Sequence, residues 1–209
     1  MKALIVVDIQ NDFCKGGALE VANANEIIPI TNQLIHSGFF DTIIATQDFH
    51  PADHKSFAAN HLWRKVGQII DLNGLQQVLW PIHCVQGSWG TEFTQGLAVD
   101  KFDKIFPKGT DPEIDSYSGF FDNGKRKSTG LSEYLKSIGV KKVYVLGLAT
   151  DFCVKATAID AHSEGFETVL IADACRAVNL SPDDGNNALK TMKMSGVQII
   201  QSAEILNFQ

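Results

Sequence analysis

The chain has 209 residues, 44% of them apolar and 20% charged, with a formal net charge of −6. Such a length and composition suit a single domain with a full hydrophobic core, covering residues 1–209. The acidic balance argues against a nucleic-acid partner held by phosphate neutralisation, since Lys125, Arg126 and Lys127 form the one short cationic run. No apolar stretch approaches the roughly 18 residues of a membrane span, and the opening run stops at Asp8, too early for a signal peptide. Cys14, Cys84, Cys153 and Cys175 are widely spaced with no CxxC pattern. Reduced thiols and a cytoplasmic location are the resulting expectation.

In chain order, Ala3–Val7 is continuously apolar and reads as a strand buried on both faces. Residues 24–37 carry Ile27, Ile28, Leu34 and Ile35 at helical spacing and end before Gly38. Strands are expected over 42–46 and 104–106, and a helix over 131–138 closed by Gly139. KVYVLGL, residues 142–148, is the strongest strand signal. A helix over 151–164, a strand over 168–172, a helix over 182–195 and a strand over 197–201 complete the pattern. Strands alternating with helices predict an α/β fold. Its core is a mainly parallel six-stranded sheet flanked by helices on both faces, a three-layer α/β/α arrangement. The stretch from Phe49 to Phe102 is long and irregular, with a weak helical pattern at 72–79, and a segment of that kind usually carries function.

Ligands of open parallel sheets bind beyond the carboxyl ends of the strands. Asp8, Asp48, His50, Lys108 and Cys153 all fall there. In GLATDFCVKATAIDA, Thr150 or Asp151 is a candidate helix N-cap, and Cys153 sits in the first turn. The free N–H groups of that turn favour a thiolate and are able to hold an oxyanion. With Asp8 as proton acceptor and Lys108 as cation, Cys153 completes a nucleophilic set. Asp48 and His50, two apart on an extended segment, project to one side. His83 in WPIHC supplies a third ligand, and the mixed oxygen and imidazole donors suit Zn, Fe or Mn. His54 is read either as a fourth ligand or as a donor standing behind these ligands, the second being favoured.

These residues lie in VDIQNDFCKGGAL, ATQDFHPADHKSFA, WPIHCVQGSWG, FPKGTDPEIDSYSGFFDN and GLATDFCVKATAIDA. Together, and in this order, the five segments resemble the nicotinamidase/pyrazinamidase family of the isochorismatase-like cysteine hydrolases, over nearly the whole chain. The resemblance implies a catalytic triad of Asp8, Lys108 and Cys153 and a metal site of Asp48, His50 and His83, holding one divalent ion, with zinc ahead of iron and manganese. It further implies an oxyanion hole from the N–H groups of Ala149 and Cys153 beside a cis Leu148–Ala149 peptide, and an aromatic clamp from Phe13, Trp80 and Tyr117. The implied reaction hydrolyses nicotinamide, and pyrazinamide with it, to the acid plus ammonia through a cysteine thioester, in NAD salvage. The partner is then a small aromatic carboxamide, with no nucleic acid and no membrane; monomer and homo-oligomer stay open. Hydrolysis of another small amide or of isochorismate, and a non-catalytic metal-binding role, are the rival readings.

Overall fold

The computed structural model describes residues 1–207; Phe208 and Gln209, the end of the expected domain, lie outside the described residues. Six parallel strands form the central sheet: β1 (Lys2–Val7), β2 (Thr42–Asp48), β5 (Lys104–Lys108), β6 (Lys142–Leu148), β7 (Glu167–Arg176) and β8 (Gln198–Ile200). Their order is β5-β2-β1-β6-β7-β8. Helices α1 (Ile27–His36) and α5 (Ala203–Leu206) pack together. Helices α3 (Lys155–Ser163) and α4 (Asp184–Met194) also pack together, and α2 (Leu131–Ser137) is tied to the end of α3 through Ser132, Lys136 and Glu164. The chain leaves β1 toward β2 but leaves β6 toward β7, in the opposite direction. Right-handed crossovers then place α1 on one face of the sheet and α3 and α4 on the other.

The centre of the sheet explains the continuous apolar strand. Ala3 through Val7 have no solvent exposure, being covered from both faces. Burying each such Val, Leu or Ile side chain stabilises the fold by about 1.5–3 kcal/mol relative to leaving it exposed. Among the described residues no helix is long and apolar enough to cross a membrane, and all four cysteines are free and buried.

Three expectations are corrected. Residues 72–79 are not helical: β3 (Ile69–Leu72) and β4 (Leu75–Val78) form an antiparallel hairpin. Asn73 and Gly74, at φ 54° and 84°, make its two-residue turn, and Asn-Gly is the pair such a turn demands. Second, β2 and β5 run two residues past their apolar stretches, so Asp48 and Lys108 are paired register partners inside the sheet. The buried Gln10 side chain prolongs β2 by accepting from the Asp48 N–H (2.8 Å) and donating to the Asp48 carbonyl (2.8 Å), as a neighbouring strand would. Third, the helix after β6 opens with a widened π-type turn, Thr150–Val154, and no side chain caps it. The Asp151 carboxylate accepts instead from the N–H groups of Val178 (2.9 Å) and Asn179 (2.8 Å), fastening the β7–α4 connection to the cysteine turn.

Candidate active site

The strand order reverses between β1 and β6, and the ends of these two neighbours carry Asp8 and Cys153. This is the switch point at which open sheets bind their ligands. Asp8 has a left-handed backbone (φ 48°), a conformation a short polar side chain tolerates, and its carboxylate is fully buried. Thr46 donates its hydroxyl to Oδ1 at 2.7 Å, and the Lys108 ammonium lies 2.9 Å from Oδ2. Lys108 also donates to Asp48 Oδ1 (2.5 Å), to the Ser116 carbonyl (2.9 Å) and to Cys153 Sγ (3.4 Å). One buried ammonium therefore links both carboxylates to the sulfur.

Burial opposes the charge on Lys108, yet Asp48, Asp8 and Cys153 outweigh it and hold its pKa well above the ordinary value. For Asp8, burial outweighs the ammonium and, helped by the charge of Asp48, lifts the pKa to about 6. Burial would also raise Asp48, but Lys108 and the neighbouring imidazoles keep it well below the usual carboxylate range. At Cys153 the turn that favours a thiolate is opposed by desolvation. Burial, with the charges of Asp8 and Asp48, outweighs Lys108 and pushes the thiol well above its ordinary pKa. Atoms of Asp8, Asp48 and Cys153 all lie within 4.8 Å of one another.

The second cluster grows from the irregular segment. Asp48 Oδ2 faces Nε2 of His50 at 3.6 Å and Nε2 of His83 at 3.9 Å. Nδ1 of His50 is spent on the Gly109 carbonyl (2.9 Å) and Nδ1 of His83 on the Pro81 carbonyl (2.8 Å). Each ring nitrogen that faces Asp48 is thereby left with a lone pair, the arrangement a metal-binding histidine adopts. Gly109 admits this packing, because a Cβ there would lie 2.3 Å from the His50 ring. One carboxylate oxygen and two imidazole nitrogens converging in this way fit a divalent transition metal. Nδ1 of His54 accepts from the Ser56 N–H at 3.1 Å, which leaves the hydrogen of a neutral ring on Nε2. That Nε2 is buried beside His50 without a hydrogen-bond partner among the described residues.

Backbone contacts fix the ligand loops. Cys84, also left-handed (φ 46°), donates its N–H to Asp12 Oδ2 (2.7 Å) and accepts the His50 N–H on its carbonyl (3.0 Å). Its buried sulfur approaches the Gly90 carbonyl and belongs to the packing.

Between the two clusters opens a narrow cleft. Phe13, Trp80, Tyr117, Ala149 and Cys153 all line it, together with Asp48, His50 and His83. The Leu148–Ala149 peptide is cis. Four further wall residues went unread in the sequence: Leu19, Asp115, Phe152 and Val178. Phe152 stands edge-on to Trp80 (4.9 Å between centroids) and Tyr117 (5.4 Å). Only its place beside Cys153 hinted at it.

Sheet order, switch point and buried thiol–ammonium–carboxylate cluster define one class, and a model of the isochorismatase domain matches residues 2–204. The chain belongs to the isochorismatase family. Within it, the chain is 48% identical over 204 residues to a nicotinamidase of Acinetobacter baylyi, covering 98% of this chain and 94% of the relative. It also resembles the solved structure of an Acinetobacter baumanii nicotinamidase/pyrazinamidase, at TM-score 0.95 and 46% identity over 98% of both chains. A pyrazinamidase of Pyrococcus horikoshii solved in complex with zinc superposes at TM-score 0.76 and 40% identity, covering 96% of this chain and 98% of that one.

Proposed function

We propose that this protein is a nicotinamidase, hydrolysing nicotinamide, and pyrazinamide with it, to the acid and ammonia. The observation that carries the reading is the aromatic-walled cleft lined by Cys153, whose sulfur is bonded to Lys108 and through it to Asp8, and by Asp48, His50 and His83. Full-length likeness to nicotinamidases supports the choice of substrate.

In the proposed mechanism, Phe13, Trp80, Tyr117 and Phe152 hold the substrate ring, with the amide carbon over Cys153. Asp8 takes the thiol proton, and Lys108 offsets the charge that builds on sulfur. Sulfur attacks the amide carbon, and the N–H groups of Ala149 and Cys153 receive the oxyanion. As the C–N bond breaks, Asp8 returns the proton to nitrogen, releasing ammonia and leaving a thioester on Cys153. Asp8 then takes a proton from water, whose oxygen adds to the thioester, and the thiol is regenerated with the acid. Asp48, His50 and His83 would hold one divalent ion, zinc first, which supplies a Lewis acid at the edge of the cleft. The product feeds NAD salvage in the cytoplasm; no nucleic acid or membrane takes part.

The test is ammonia release from nicotinamide, pyrazinamide and carbamoylated amines, with rapid acid quenching and mass analysis of the Cys153 peptide. Turnover of the two aromatic amides with a nicotinoyl mass on Cys153 is the expected result. Ammonia from the carbamoylated amines alone, or turnover undiminished in Cys153→Ala, overturns the reading.

A further inference from the structure

We infer that Gln77 is a positioning residue for the aromatic slot: its amide, carried into the site by β4, holds the Tyr117 phenol in the orientation that grips the substrate ring. The inference rests on the aromatic-carboxamide reading above.

Gln77 is 2% exposed, the one buried residue of β4. Its Nε2 lies 2.7 Å from the Val78 carbonyl, 3.0 Å from Asp115 Oδ2 and 3.2 Å from the Tyr117 hydroxyl. A carbonyl and a carboxylate only accept, so the amide nitrogen, and not the oxygen, occupies this position. The Tyr117 oxygen also accepts from Trp80 Nε1 at 3.2 Å. Nε2 has two hydrogens for its three acceptors, so the one toward Tyr117 is shared, and together with the Trp80 indole N–H it holds the phenol from two separate segments. An apolar side chain would fill the same place without the cost of burying an amide, so its hydrogen bonds are what distinguish glutamine there.

The hairpin does not depend on these bonds for its attachment. Asn73 Nδ2 donates to the Glu113 carbonyl (2.8 Å), and an Arg126 guanidinium nitrogen donates to the Asn73 carbonyl (2.7 Å). The Tyr117 backbone is separately fixed, its N–H donating to Asn123 Oδ1 at 2.9 Å. Gln77 therefore acts on the far end of the tyrosine ring while the chain around it is held by others.

The test compares Gln77→Met in two settings, with Tyr117 intact and in a Tyr117→Phe background. Calorimetric titration with nicotinate reads the slot without chemistry. Gln77→Met should weaken nicotinate binding about tenfold with Tyr117 present and less than about twofold in the Tyr117→Phe background, because the contact it removes is then already gone. In turnover of nicotinamide the same variant should raise KM about tenfold with kcat within about threefold. Equal weakening in both backgrounds, or a fall in kcat at unchanged KM, overturns the inference. Wild-type enzyme that binds nicotinate in this pattern but releases no ammonia sinks the amidase reading and spares the slot. Ammonia release with binding indifferent to Gln77→Met does the reverse.

Discussion

The two halves of the site are built by different means. Asp8, Asp48, Lys108 and Cys153 stand at the ends of parallel strands, where register sets their spacing: Asp48 and Lys108 are direct partners across β2 and β5. His50, His83 and Trp80 come from the irregular segment and lie outside its strands, with only isolated bridges at His50–Val85 and Phe57–Trp80. There side chains and single carbonyls do the positioning, through Gly109, Pro81, Asp12 and the backbone of Cys84. A sheet fixes a charge cluster rigidly because many bonds must break together, whereas a loop held by individual contacts is adjustable one contact at a time. The strand-borne half should therefore respond to mutation as a unit, and the loop-borne half piecemeal.

Lys108→Met is the severest way to break that contrast. It leaves the buried Asp8 and Asp48 carboxylates without their shared cation, a loss of about 3–5 kcal/mol in denaturant unfolding. Ammonia release should fall at least about a thousandfold. A variant as stable as the parent would show that register alone does not hold the charges. His83→Ala should act more locally: metal per chain after dialysis falls at least about tenfold, while the unfolding midpoint shifts little. Concerted loss of metal and fold would erase the distinction between the halves. The mildest probe is pH. Asp8 must be ionised to take the thiol proton, and its pKa is raised to about 6. Protonation below that value removes the acceptor, so log kcat/KM should drop with a slope of about one per pH unit below about 6 and flatten above it. Activity level down to about pH 4 would place the proton acceptor elsewhere.

Sequence and structure agree best where the chain is apolar on both sides. Ala3–Val7 and KVYVLGL could only be central strands, and the residues just after them had to lie at the ligand-binding edge. Polar strand ends were less legible: Gln47–Asp48 and Pro107–Lys108 look like loop until the Gln10 amide is seen bonding the Asp48 backbone. The hairpin at 69–78 was signalled by Asn-Gly but masked by leucines at near-helical spacing. Leu19, Asp115, Phe152 and Val178 have no local signature, since what makes them wall residues is distance across the fold. At Cys153 the helix terminus is visible in sequence, whereas the burial that raises the thiol pKa is not.

One carboxylate joins the two halves. Oδ1 of Asp48 receives the Lys108 ammonium, while Oδ2 faces the two imidazoles. Its two oxygens share a single delocalised charge, so whatever polarises one is felt at the other. An ion held between Oδ2 and the two imidazoles would therefore act on the ammonium as well, and through it on the sulfur of Cys153. Under the proposed reading, ion and nucleophile would form one electrostatic unit bridged by Asp48.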